Sequence, residues 1–225
     1  LHRRRHSFPT RRSSDLRTIE EFVHAAELAI EAGFDGVELH GANGYLVEQF
    51  LNTAANQRTD KWGGPIEHRI RFAVEVAKRT AARIGGDRVG IRVSPYSAAG
   101  GLRSDDDQVE ELHALLASEL QKIGLVYIHI VDHSQLGMPK VPDSVKEKIR
   151  SAFGGTIILS GGYDRERAEA DLSTGRASLI AFGRPFLANP RLPTLLREGL
   201  PLAQPDVASL YSADEKGYTD YPIKP

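Results

Sequence analysis

His40, Asn43 and Tyr45 lie close together in Val37-Glu38-Leu39-His40-Gly41-Ala42-Asn43-Gly44-Tyr45-Leu46. A histidine ring N–H and an asparagine amide are both hydrogen-bond donors. Converging on one point, they fit a carbonyl or nitro oxygen on which negative charge develops. A neighbouring phenol can add a proton to the same substrate. The glycines between them permit a tight turn that gathers the three side chains. Singly, each has a plainer reading: a satisfied core histidine, a turn asparagine, a packed tyrosine. Together at a strand end they read as a site. No second histidine or carboxylate stands at ligand spacing beside His40, so no metal is expected.

Two later segments have the chemistry of anion binding. Ser160-Gly161-Gly162-Tyr163 and Phe182-Gly183-Arg184-Pro185 each follow a strand-like run. Glycines let backbone N–H groups approach an anion closely, and a guanidinium beside them suits a phosphate. Arg92 stands inside Val-Gly-Ile-Arg-Val, where an unpaired charge is costly to bury. It must therefore face a mouth or find a partner. Near an electron-accepting ring it would stabilise the anion formed on reduction; its plainer reading is a structural salt bridge.

The elements that position these groups follow from periodicity. Thr18 and Glu21 have capping-box spacing, and Ile19, Phe22, Val23, Ala26 and Ile30 share a helical face that Gly33 ends. Strands are expected near 34–39, 89–93, 125–131, 156–159 and 178–182, and helices near 65–84, 106–122, 143–152, 164–173 and 190–198. Strands alternating with helices imply parallel βαβ units. No strand–helix junction carries G-x-G-x-x-G, which argues against a doubly wound dinucleotide fold. Phosphate-friendly loops after two successive late strands fit strands seven and eight of a (β/α)₈ TIM barrel. On that count 34–39 is strand four. The expected fold is therefore an α/β TIM barrel truncated at its N-terminal side, an open partial barrel with about five of eight βα units.

Composition is that of a soluble globular chain, with 225 residues, 40% hydrophobic and 26% charged. A net charge of -1 points to no nucleic-acid or membrane partner, and a cytoplasmic location is expected. There is no cysteine, which excludes disulfides, thiolate chemistry and iron–sulfur clusters. Residues 1–17 concentrate six arginines against one acid, a pattern also found in transit peptides and nucleic-acid arms. However, the run from Ser7 to Leu16 resembles the translation of a short-read sequencing adapter. We therefore expect residues 1–16 to be a non-native segment outside the core, and residues 17–225 to form the partial barrel domain.

Together the motifs resemble the Old Yellow Enzyme family of FMN-dependent ene-reductases. They are His40-Gly41-Ala42-Asn43-Gly44-Tyr45-Leu46, Asn56-Gln57-Arg58-Thr59-Asp60, Gly63-Gly64, Gly90-Ile91-Arg92-Val93-Ser94-Pro95, Phe182-Gly183-Arg184 and Gly217-Tyr218-Thr219-Asp220-Tyr221-Pro222. The resemblance implies an NADPH- or NADH-dependent flavoprotein that reduces small electrophilic alkenes (enals, enones, maleimides) or nitro compounds. It implies that His40 and Asn43 bind the substrate's activating oxygen, and that Tyr45 donates the proton. Arg92 would lie beside the flavin N1/O2 edge. Gly161, Gly162, Gly183 and Arg184 would hold the FMN phosphate, with Phe186 and Tyr218 lining the flavin and substrate cavity. The lack of cysteine separates the chain from the family's iron–sulfur branch. An FMN barrel that oxidises 2-hydroxy acids would want a histidine in a late loop, and none follows His133. The other alternative is an inactive fragment with open strand edges.

Overall fold

The computed structural model describes residues 11–211 and 214–223. Five strands, β1 (Val37–Gly41), β2 (Val89–Val93), β3 (Tyr127–Val131), β4 (Thr156–Ser160) and β5 (Leu179–Ala181), form one sheet in sequence order. All four pairings are parallel. Helices α1 (Arg11–Glu31), α2 (Leu46–Leu51), α3 (Ile66–Arg69), α4 (Arg71–Ile84), α5 (Val109–Ile123), α6 (Asp143–Ala152), α7 (Arg165–Ser173), α8 (Arg184–Ala188) and α9 (Leu192–Glu198) complete the fold. Among the described residues β1 and β5 each have one strand neighbour, so the sheet is open. None of the described helices is long and apolar enough to cross a membrane.

Sheet register separates two environments. The row Leu39, Ile91, Ile128, Ile157 is in register across β1 to β4, and each residue is at most 5% exposed. This row faces the helices. The next row is His40, Arg92, His129, Ile158, Leu179, all half-buried or exposed. A doubly wound sheet covers both faces and reverses its strand order. A sheet in sequence order with one apolar, helix-covered face and one polar face is the wall of a (β/α)₈ barrel, to which the described residues contribute five strands.

Local chemistry explains where the elements start and stop. Gly33, at φ 94°, ends α1 in a Schellman arrangement, with Phe34 N–H bonded to Ala29 C=O at 3.1 Å. Phe34 therefore belongs to the cap, and β1 starts at Val37, three residues later than expected. Gly124 caps α5 in the left-handed region at φ 81°. The helix expected over 65–84 is interrupted at Ile70, giving α3 and α4.

The start of α1 corrects the expected boundary at residue 16. The helix begins at Arg11, so Thr18 and Glu21 lie in its interior rather than at its cap. Residues 1–10 lie outside the described residues. Asp15 is 7% exposed and takes two hydrogen bonds from Arg58, at 2.9 and 2.7 Å. Leu16 packs against the core. The helix then runs along α4, with Phe22 edge-on to Phe72 and Arg79 and Arg83 paired to Glu20 and Glu27. Asp15→Ala should lower stability by about 1.5–3 kcal/mol, the scale of a hydrogen-bonded charge partner. Urea unfolding checks this, and an unchanged midpoint would return Asp15 to a dispensable tail.

Candidate active site

The end of β1 and the turn after it carry His40, Asn43 and Tyr45. His40 ends the inner face of β1, in register with Arg92 on β2. Its ring centroid lies 5.2 Å from that of Tyr45, whose side of the loop is open to solvent. Asn43 and Gly44 both have left-handed backbone, at φ 62° and 79°. Asparagine tolerates that region better than most side chains. Gly44 is required, because a Cβ there would lie 2.5 Å from the Ala99 carbonyl oxygen.

Hydrogen bonds fix this turn from two sides. On the front, His133 Nε2 lies 2.6 Å from Asn43 Oδ1. With His133 donating, the amide carbonyl is occupied and the NH₂ is the end left for a ligand. Behind, Asn43 N–H donates to Ser94 Oγ at 2.9 Å, and Ser94 donates to Glu48 at 2.5 Å. Gly44 N–H donates to the other Glu48 oxygen at 2.6 Å. Burial, and next the Arg92 charge, hold both His40 and His133 below the usual histidine range. Both are therefore neutral at pH 7, each ring offering one N–H.

The inner face carries a second polar set. His129 on β3 bridges Glu38 of β1 at 2.9 Å and Ser160 of β4 at 2.8 Å. Tyr127 also bonds Glu38, its ring lying over Gly90, where a Cβ would collide with it. Burial raises the Glu38 carboxyl, but the bonds to His129 and Tyr127 and the His129 and Arg92 charges leave it below its ordinary value. Arg92 is different. Its Nε is buried and has no hydrogen-bond partner. An orphaned guanidinium N–H on an open face fits an electron-rich ligand edge, as the flavin of the resemblance would supply.

The two glycine loops leave adjacent strands, because Ser160 and Ala181 are register partners. Gly161 and Gly162 have φ 108° and 64°, and the chain at Gly161 passes so close to Asp132 that a Cβ would sit 2.0 Å from its carbonyl. Gly183 caps α8 with open space beside it, and Arg184 is exposed. A cradle of glycine backbone with a free-standing guanidinium fits a phosphate. Phe186 and Tyr218 are exposed, and neither makes a hydrogen bond or ring contact with His40, Asn43 or Tyr45 among the described residues. The Asn56–Asp60 motif is a structural clamp: Asn56 donates to the Phe50 and Trp62 carbonyls, both at 2.7 Å.

His133 and Glu48 were not among the residues singled out from sequence, and Ser94 stood only inside the motif Gly90-Ile91-Arg92-Val93-Ser94-Pro95 with no role of its own. The only available signal was their neighbourhood: Glu48 stands four residues after Gly44, and Ser94 follows the strand expected at 89–93. The two glycine positions should respond differently to substitution. Gly161→Ala forces both a positive φ and a backbone clash, and should destabilise by about 2 kcal/mol or more. Gly183→Ala should stay within about 1 kcal/mol. Thermal unfolding of the two variants side by side checks the contrast.

Known proteins resemble this chain in both sequence and fold. The NADH:flavin oxidoreductase / NADH oxidase family matches residues 13–203. A putative 12-oxophytodienoate reductase 11 of Oryza sativa subsp. japonica is 43% identical over 211 residues, covering 92% of this chain and 57% of the relative. The 12-oxophytodienoate reductase 2 of Arabidopsis thaliana is 41% identical, covering 91% and 55%. Among solved structures, morphinone reductase in complex with tetrahydroNAD superposes with a TM-score of 0.87 at 42% identity, over 95% of this chain and 57% of that one. The Old Yellow Enzyme homologue from Zymomonas mobilis gives 0.88 at 34% identity, over 96% and 61%. The chain thus spans a little over half the length of the relatives it matches. On the strength of a match over most of its residues, the chain belongs to the NADH:flavin oxidoreductase / NADH oxidase family, the Old Yellow Enzyme group that its motifs resemble.

Proposed function

We propose that this chain carries the substrate-binding wall and part of the flavin site of an FMN-dependent oxidoreductase that reduces activated alkenes (enals, enones, maleimides) or nitro compounds. The state of Asn43 carries the reading. Its carbonyl oxygen is held by His133, so its NH₂ is the end left to donate, three residues along the chain from His40 near the end of β1. Arg92, with its unpartnered buried Nε, would lie against the flavin, and Gly161, Gly162, Gly183 and Arg184 would surround its phosphate. Phe186 and Tyr218 would line the cavity. FMN, reduced by NADPH or NADH, would supply the hydride for the substrate's β-carbon. A nicotinamide reductant is supported by morphinone reductase, which has been solved with tetrahydroNAD.

The protein's own part is charge stabilisation and proton delivery. His40 and Asn43 donate to the substrate oxygen, where negative charge builds as the double bond is reduced. A neutral His40 suits this role, since one N–H donates without competing protonation. Tyr45 stands beside His40 with its phenol open to the mouth, and supplies the proton to the α-carbon.

In the FMN-loaded protein, p-hydroxybenzaldehyde should bind where these donors converge, because a phenolate resembles the developing charge. His40→Ala should weaken its binding by about 1.5–3 kcal/mol, roughly 10- to 150-fold. Unchanged affinity would overturn the oxygen-binding role. Tyr45→Phe should slow alkene reduction while leaving flavin reduction by the nicotinamide nearly unchanged. Stopped-flow measurement of the two half-reactions separates these outcomes, and equal loss in both would remove Tyr45 as proton donor.

A further inference from the structure

We infer that Glu48 is a positioning residue whose buried carboxylate holds the backbone of the Asn43–Gly44 turn in the conformation that presents the oxygen-binding donors. This rests on the reading of His40 and Asn43 just given. Glu48 touches neither substrate nor flavin in that reading; it acts through the turn.

Three bonds make the connection. One Glu48 oxygen takes Gly44 N–H at 2.6 Å, the other takes the Ser94 hydroxyl at 2.5 Å, and Ser94 Oγ takes Asn43 N–H at 2.9 Å. Two consecutive amides are thus held by one carboxylate, one directly and one through Ser94. They belong to the two left-handed residues of the turn. That conformation is unfavourable for asparagine by itself, so bonds outside the turn must hold it. His133 holds the Asn43 side chain, and Glu48 with Ser94 holds its backbone.

Only an ionised Glu48 accepts from both partners at once. When protonated, its O–H must turn to Ser94 Oγ, which reverses one bond, and the Gly44 bond loses its charge-assisted character. Burial pushes the Glu48 carboxyl up to about 7, against the pull of the Ser94 and Gly44 bonds. The charged or titratable groups that share the small cavity behind Glu48 are Arg69 of α3, His113 of α5, and Tyr96, Arg103 and Asp106 between β2 and α5. None is hydrogen-bonded to it. Arg69 bonds Asp106 and the Leu51 carbonyl, Arg103 bonds Asp105, and burial drives His113 down to about 4. No charge on the neighbouring β1 or α4 enters the Glu48 shift. Ionisation of Glu48 is thus coupled to the turn and to little else. A site ordered in this way gains order as pH rises through the neutral range.

Amide NMR on the ¹⁵N-labelled chain tests this without flavin. Between about pH 5.5 and about 8.5, the Gly44 amide proton should move downfield with a midpoint near 7, and the movement should vanish in Glu48→Gln. Hydrogen exchange at Asn43 and Gly44 should rise roughly tenfold or more in Glu48→Gln, while the β2 and β3 core amides hold. Ser94→Ala should release Asn43 alone, and Ser94→Thr should restore it. In the FMN-loaded protein, Glu48→Gln should weaken p-hydroxybenzaldehyde binding roughly tenfold. A Gly44 resonance with no Glu48-dependent titration anywhere between about pH 3 and about 9 would overturn the inference, whether or not the variants fold. So would unchanged Asn43 and Gly44 exchange in a folded Glu48→Gln. Failure of the underlying functional reading looks different: Gly44 titrates, but His40→Ala leaves phenol affinity intact.

Discussion

Parallel pairing in one register sets Leu39, Ile91, Ile128 and Ile157 against the helices, and with the same stroke sets His40, Arg92 and His129 on the opposite face. Side chains alternate along a strand, so a slip of one residue would exchange the two rows. It would expose four aliphatic side chains, each worth about 1.5–3 kcal/mol when buried, and force three polar ones among the helices. Everything else hangs on that register. It gives α1, α4, α5 and α6 a surface to cover, and it brings residues from separate βα units to one mouth.

The two faces are held by different physics. The helix side is apolar, with a few polar clamps set into it: Asn56 binds two carbonyls, and Arg58 joins Asp15 to Asp60. The inner side is polar and only partly satisfied. Glu38, Tyr127, His129 and Ser160 form a bonded set, whereas Arg92 Nε has no partner. Around it lie a left-handed asparagine, a glycine pressed against a carbonyl, and a carboxylate whose burial opposes its own charge. Each lowers stability, and all lie at one end of the sheet. Unfavourable local choices gathered in one place mark a surface shaped by what it binds.

The turn after β1 shows how such a surface can be kept. Asn43 would not stay left-handed on its own preference. Its side chain is tied to His133, beyond β3, and its amide to Ser94, beyond β2. The donors' geometry is therefore shared among three βα units, and disturbing any one of them reaches the mouth. Neutral histidines and an ionised Glu48 are the protonation states in which this arrangement is complete, and burial favours the first while opposing the second.

The sequence by itself determined what depends on near neighbours. The strand at 89–93 and the helix at 143–152 stand at the expected residues, because a period of two or of 3.6 is local and their ends are marked by glycine and proline. The cluster of His40, Asn43 and Tyr45 was legible for the same reason, being one turn of chain. The glycine loops could be read as a pair because their strands are consecutive. Tertiary structure decided the rest. The anchoring of the first turns of α1 to the core depends on an acid and an arginine 43 residues apart. His133 and Asn43 are 90 residues apart, and Ser94 and Asn43 are 51 apart. Hydrogen bonds of that reach leave no periodic trace. They exist only once parallel strands have settled into register and carried their loops to the same end of the sheet.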